Sequence, residues 1–137
     1  MELSIRKLEE SDWDTLVDMW NGWDDWKGNN PTKDLLPENG TGGYIVEKNG
    51  KAVVAGFLYT TNSKACWIEW VVSDKKYRGK DRKQAITMLI QGTESVAKAS
   101  GFSVVFSIGR NKGLIESFED LGYNVDKNSS HEIIKAI

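Results

Sequence analysis

The stretch from Cys66 to Ser100, CWIEWVVSDKKYRGKDRKQAITMLIQGTESVAKAS, constrains the fold more than any other part of the chain. An apolar, β-rich run from Cys66 to Val72 passes through a basic turn into an amphipathic helix, an order that presents backbone N–H groups to a phosphate. Strict alternation along Ala65–Ser73 places Trp67, Glu69 and Val71 on one face and Cys66, Ile68, Trp70 and Val72 on the other. Both faces are largely apolar, so the strand belongs in the centre of a sheet. Arg82 to Ser100 carries Ala85, Ile86, Leu89, Ile90, Thr93, Val96 and Ala97 at helical spacing, with Gly92 costing about 1 kcal/mol relative to alanine. Gly101 stops that helix, and Phe102 to Ile108 returns as a strand that a helix-length crossover makes parallel to its predecessor.

The flanking segments extend the pattern. Leu3 to Leu8 alternates as a first strand, and Ser11-Asp12-Trp13-Asp14 opens a helix whose Trp13, Leu16, Val17 and Trp20 recur with a core-facing period. Asn21 to Gly43 holds Pro31 and Pro37 among glycines and asparagines, which predicts a loop with one short helix near Thr32 to Leu36. Within it, Trp23 and Trp26 flank Asp24 and Asp25. They form either an aromatic and acidic wall for a cationic amine or a pair of anchors for the loop. Gly43–Lys48 and Lys51–Thr60 are strands joined by Asn49-Gly50, the strongest short hairpin signal. Asn111 to Leu121 predicts a short helix, after which Tyr123–Asp126 and Glu132–Ile137 pair through a polar turn, Lys127–Ser130.

At 137 residues the chain is expected to form a single domain, residues 1–137. A net charge of −2 and the lack of a long apolar run exclude a general nucleic-acid or bilayer binder. A lone cysteine, Cys66, cannot make an internal disulfide, and the first residues carry no apolar leader, so the expected compartment is cytoplasmic. His131 has no companion ligands in sequence and predicts no metal site. Cys66, on a buried strand, reads as packing rather than as a nucleophile.

The turn at Arg78-Gly79-Lys80-Asp81-Arg82-Lys83 resembles motif A of the GCN5-related N-acetyltransferases, which reads Arg or Gln, two residues, Gly, one residue, then Gly or Ala. Arg78 matches, whereas Asp81 and Lys83 stand where the small residues are usual. Asn111, then Phe118, Gly122 and Tyr123, resemble a later family segment, and the element order β-α-α-β-β-β-α-β-α-β-β covers almost the whole chain. The resemblance implies an α+β fold, a mixed central sheet with helices on both faces. It also implies acetyl-CoA as co-substrate, lying between Ala65–Ser73 and Phe102–Ile108, and transfer of its acetyl group to a primary amine.

By that resemblance Val71 and Val72 bind the pantetheine arm through main-chain groups, the amides of Arg78 through Lys83 hold the pyrophosphate, and Asn111 hydrogen-bonds the pantetheine. Asp81 has a second reading, as the N-cap of the long helix in a capping box with Gln84. Glu69, set between two tryptophans where desolvation raises its pKa, is the candidate base; the alternative is a surface carboxylate paired with a lysine. The residue aligned with the family's thiolate-protonating tyrosine is Phe118, which has no proton to give, so Tyr123 or water takes that part. Trp23 and Trp26 would line the acceptor side. The rival to a transferase is a catalytically inactive binding protein on the same fold; a longer acyl or an aminoacyl donor stays open. So does the oligomeric state, a homodimer through late strands being one that the resemblance allows.

Overall fold

The computed structural model describes residues 2–128 and 130–137. Its centre is a five-stranded sheet in the order β1-β2-β3-β4-β5. The strands are β1 (Leu3–Lys7), β2 (Gly43–Lys48), β3 (Lys51–Thr60), β4 (Ala65–Ser73) and β5 (Val104–Ser107). Neighbours are antiparallel except for β4 and β5, which run parallel around the crossover helix α2 (Arg82–Ala99). Helix α1 (Trp13–Asn21) covers one face, where Leu16, Met19 and Trp20 pack on Ile45, Ala55, Phe57 and Val72. Helix α2 covers the other with Ala85 and Leu89 against Val46, Val53 and Val54. Helix α3 (Lys112–Asp120) joins that layer, setting Phe118 against Ile68 and Ile90. This is the α+β class expected, with helices on both faces.

Three local expectations are adjusted. The short helix expected near Thr32 to Leu36 is present as a 3-10 turn, Lys33–Leu35, too short to bury a face of its own. Neither Tyr123–Asp126 nor Glu132–Ile137 is a strand. The Asp126 side chain competes with a ladder by accepting the Asn128 N–H at 2.8 Å, while Lys127 pairs with Glu119 at 3.0 Å and Arg110 with Glu132. Ser129, inside the expected turn, lies outside the described residues.

The third correction falls on β4, whose alternation breaks at Trp70, where a φ of 57° is left-handed. Trp70 and Val71 together face the single residue Gly56 of β3, so a β-bulge interrupts the register between Ala55↔Val72 and Phe57↔Glu69. Beyond it the faces exchange. Trp70 and Val72 pack toward α1, and Val71 packs toward α2 with Ile68. Gly56 permits this because a Cβ there would press on Val71 Cγ2 at 3.1 Å and Leu89 Cδ2 at 3.2 Å. Gly92 packs closely under β1, since a Cβ at that place would lie 2.5 Å from Ile5 Cδ1 and oblige that side chain to shift.

One ion-pair network ties β1 to the start of α1. Buried Asp12 accepts from Arg6 Nη1 and Nη2, each at 2.8 Å, and from the Glu9 N–H at 2.8 Å, while Arg6 Nε also donates to Glu47 at 3.0 Å. The Arg6 guanidinium, chiefly, holds the Asp12 carboxyl below its ordinary 3.8. A depressed aspartate contributes stability above its unfolded value and loses it as pH falls through the folded one. Asp12→Asn is therefore expected to cost about 1–3 kcal/mol at pH 7, a gap that closes in acid below the ordinary aspartate range. Urea unfolding of both proteins at neutral and acid pH measures it.

Candidate active site

Strands β4 and β5 pair only from Ala65↔Val104 to Ile68↔Ser107. Ser107 Oγ donates to the Ile68 carbonyl at 2.6 Å and closes the ladder there. Beyond that point β4 continues to Ser73 bonded to β3 alone, and its other edge faces a cleft of about 1240 Å³. Nothing in local propensity opens this gap. It arises because β5 stops after four residues and the chain turns through Gly109 into α3, while β4 runs on over the bulge.

One end of the cleft is the turn into α2. Within it Arg82 N–H bonds to the Gly79 carbonyl at 3.3 Å and Ala85 N–H to the Asp81 carbonyl at 3.0 Å. Among the described residues the N–H groups of Arg78, Gly79, Lys80, Lys83 and Gln84 meet no protein acceptor. The expected capping box is absent. Asp81 precedes the helix but makes no side-chain cap, because its carboxylate is taken by Lys48 at 2.8 Å and by the Tyr77 hydroxyl. Unpartnered amides and the helix dipole thus give this end a positive character, reinforced by Lys80 and Arg82 on the cleft wall, whereas Lys83 on the same wall is paired with Asp120 at 2.6 Å. Gly79 owes its lack of Cβ to packing rather than to φ, since a Cβ would strike the Tyr77 hydroxyl and sit 2.7 Å from Asp81 Oδ1.

At mid-cleft stands Glu69, between the bulge and the opened β5 end. Burial pushes its carboxyl up to about 7, opposed by the Ile108 N–H and by the charge of Arg110. The paired-lysine alternative is not realised: no lysine bonds Glu69 among the described residues. The α1 side is aromatic. Trp26 meets Trp70 at 6.1 Å between centroids, and Trp23 Nε1 donates to the Ser73 carbonyl at 2.8 Å. Arg82 lies over the Trp23 ring at 5.6 Å and gives Nη2 to Ser73 Oγ at 2.6 Å. Trp23 and Trp26 therefore serve both offices at once, anchoring the loop on the core and walling the cleft beside Asp25.

The cleft brings together Trp23, Trp26, Glu69, Val71, Val72, Lys80, Arg82, Lys83 and Asn111. Asn111 also caps α3, its Oδ1 accepting the Leu114 N–H at 3.2 Å. Arg78, Gly79 and Asp81 belong to the turn without lining the cleft wall. Tyr123 lies apart, packed edge-on against Phe118 at 4.8 Å with its hydroxyl donated to Glu94 at 2.7 Å, and burial raises its pKa further. The alignment of Phe118 puts its ring in the core rather than in the cleft. Sequence reasoning passed over Trp70, Arg110 and the partners of Asp81. A strand-interior glycine, Gly56, was the available sign of the bulge. Lys48 and Tyr77 carried no local sign, being brought to Asp81 by the sheet.

Compared by sequence, the chain matches no family model and no curated protein. Compared by structure, it is similar to N-acetylglutamate synthase from Neisseria gonorrhoeae, solved with coenzyme A and N-acetyl-glutamate, at TM-score 0.69 and 17% identity over 89% of this chain. The match spans only 28% of that larger protein. An aminoglycoside acetyltransferase from an uncultured soil metagenomic sample, HMB0005, matches over 100% of both chains at TM-score 0.68 and 19% identity. An acetyltransferase of Trypanosoma brucei covers 97% of this chain and 100% of its own, at TM-score 0.64 and 20% identity. These matches show the fold, and the chain has the fold of the GCN5-related N-acetyltransferases that its motif resembles.

Proposed function

We propose that the protein is an acetyl-CoA-dependent N-acyltransferase acting on a primary amine. The observation that carries this reading is the continuity of one cleft from a turn of unpartnered amides, past an open strand edge, to a carboxyl poised near neutrality. The free N–H groups around residues 78–84 suit a diphosphate, with Lys80 adding charge. The unpaired β4 edge at Val71 and Val72 suits the amides of a pantetheine arm. Acetyl-CoA brings the activated acyl group, and the chain supplies position and proton handling. An amine reaching the thioester as ammonium must shed a proton, and Glu69 takes it directly or through one water. A strand amide polarises the thioester carbonyl. With Phe118 buried and Tyr123 committed to Glu94, water protonates the departing sulfur.

That last arrangement also favours the second reading, a binding protein that has kept the scaffold and lost the chemistry. Calorimetry separates the two. The transferase reading expects acetyl-CoA to bind at micromolar levels and Lys80→Glu to weaken it by about tenfold. Absence of heat with the wild-type protein overturns it and leaves the binding-protein reading.

A further inference from the structure

We propose that Lys48 and Tyr77 form a latch that holds Asp81 out of the anion-binding turn and thereby keeps that turn open. The proposal rests on the acyl-CoA reading given above and explains how a carboxylate is tolerated where the resembled motif has a small residue.

Asp81 immediately precedes α2, where a free carboxylate would turn inward and accept from the N–H of Lys83 or Gln84. In that pose it would consume a phosphate-binding donor and set a negative charge against the diphosphate. The carboxylate instead faces away. Oδ2 receives Lys48 Nζ at 2.8 Å and Oδ1 receives the Tyr77 hydroxyl, while Lys48 Nζ also stands 5.9 Å from the centroid of the Tyr77 ring. The three side chains close on one another from three elements: the end of β2, the loop after β4, and the start of α2.

Other details fit a latch of this shape. Gly79 lies beneath the Tyr77–Asp81 contact, where a Cβ would press on the Tyr77 hydroxyl and lie 2.7 Å from Asp81 Oδ1. Lys48 sits at the last position of β2, so the Asn49-Gly50 turn that sets the hairpin register also sets where its ammonium falls. The charge of Asp81 is matched by Lys48 alone, which leaves Lys80 on the cleft wall without a carboxylate partner among the described residues. Lys48 and Tyr77 do not line the cleft and act on it only through Asp81, as positioning residues.

The test is coenzyme A titrated calorimetrically into the wild type, Lys48→Met, Tyr77→Phe, Asp81→Ala and the double variant Lys48→Met/Asp81→Ala, each checked by thermal unfolding. Lys48→Met is expected to weaken binding at least about tenfold and Tyr77→Phe less, because each frees Asp81 to swing inward. Removing the freed carboxylate in the double variant is expected to restore affinity to within about threefold of the wild type. A lysine that contacted the phosphates itself would give the same loss without rescue, and that result overturns the latch. Unchanged affinity in both Lys48→Met and Tyr77→Phe also overturns it. No binding by the wild type removes the acyl-CoA reading, and the latch with it, whereas wild-type binding without rescue removes the latch alone.

Discussion

Glu69→Gln is expected to lower kcat by about 10²–10⁴-fold while leaving coenzyme A affinity within about twofold, because the lost group handles the amine's proton and not the cofactor. Thiol release from acetyl-CoA in the presence of a panel of primary amines reads the rate. In the wild type, kcat/KM should climb as pH rises through about 7, where Glu69 gives up its proton and becomes a base. That limb should vanish in the glutamine variant. The same carboxyl marks stability with the opposite sense. Its folded pKa lies above the ordinary 4.5, so the folded state binds the extra proton and stability falls as pH rises from 4.5 to about 7. Glutamine escapes that loss. At pH 8 the variant should be the more stable protein, by an amount on the order of 1 kcal/mol once the side chain's partial exposure is discounted. A variant equally active, or one whose stability tracks pH as the wild type does, would remove Glu69 from both parts.

Trp20→Ala is expected to cost about 3–5 kcal/mol, enough to unfold a marginal domain. Trp20 is fully buried, stacked on Phe57 at 6.2 Å and edge-on to Trp13 at 5.8 Å and Trp70 at 6.3 Å. It is the support behind the bulge, so the aromatic wall of the cleft should loosen with it. Trp20→Phe should cost far less than alanine. The indole Nε1–H has no partner among the described residues, and deleting it removes a desolvation cost along with some packing. Urea unfolding of the pair separates volume from polarity. Equal losses for phenylalanine and alanine would contradict a role based on ring packing.

The fold was legible from periodicity because the chain spells it locally. The Asn49-Gly50 turn sets the hairpin between β2 and β3, and the stripe through Ala85, Leu89, Ile90, Thr93 and Ala97 is the buried face of α2. The bulge at Trp70 was not, since alternation is a rule about an unbroken ladder and the break is accommodated by Gly56 on the neighbouring strand. The final strands failed for a related reason. Tyr123–Asp126 and Glu132–Ile137 have the apolar content of strands, yet Asp126 turns back onto the Asn128 N–H while Lys127 and Glu132 pair with Glu119 and Arg110.

Glu69 could be named from its tryptophan neighbours, since desolvation between large rings follows from composition along the strand. The fate of Asp81 could not. Capping is a local rule, whereas Lys48 lies 33 positions away and reaches Asp81 only once the sheet has formed. Trp23 and Trp26 show the same limit, because whether they anchor or line depends on Ser73 and Trp70 beyond the loop.

The most direct measurement is a backbone amide titration of the uniformly labelled protein with coenzyme A. Saturable shifts centred on Gly79, Lys80, Lys83 and Gln84 and running on into Val71 and Val72, with a micromolar midpoint, are the predicted outcome. Resonances of residues 78–84 that stay fixed at millimolar coenzyme A, or shifts confined to another surface, would contradict the diphosphate grip on which the proposed chemistry depends.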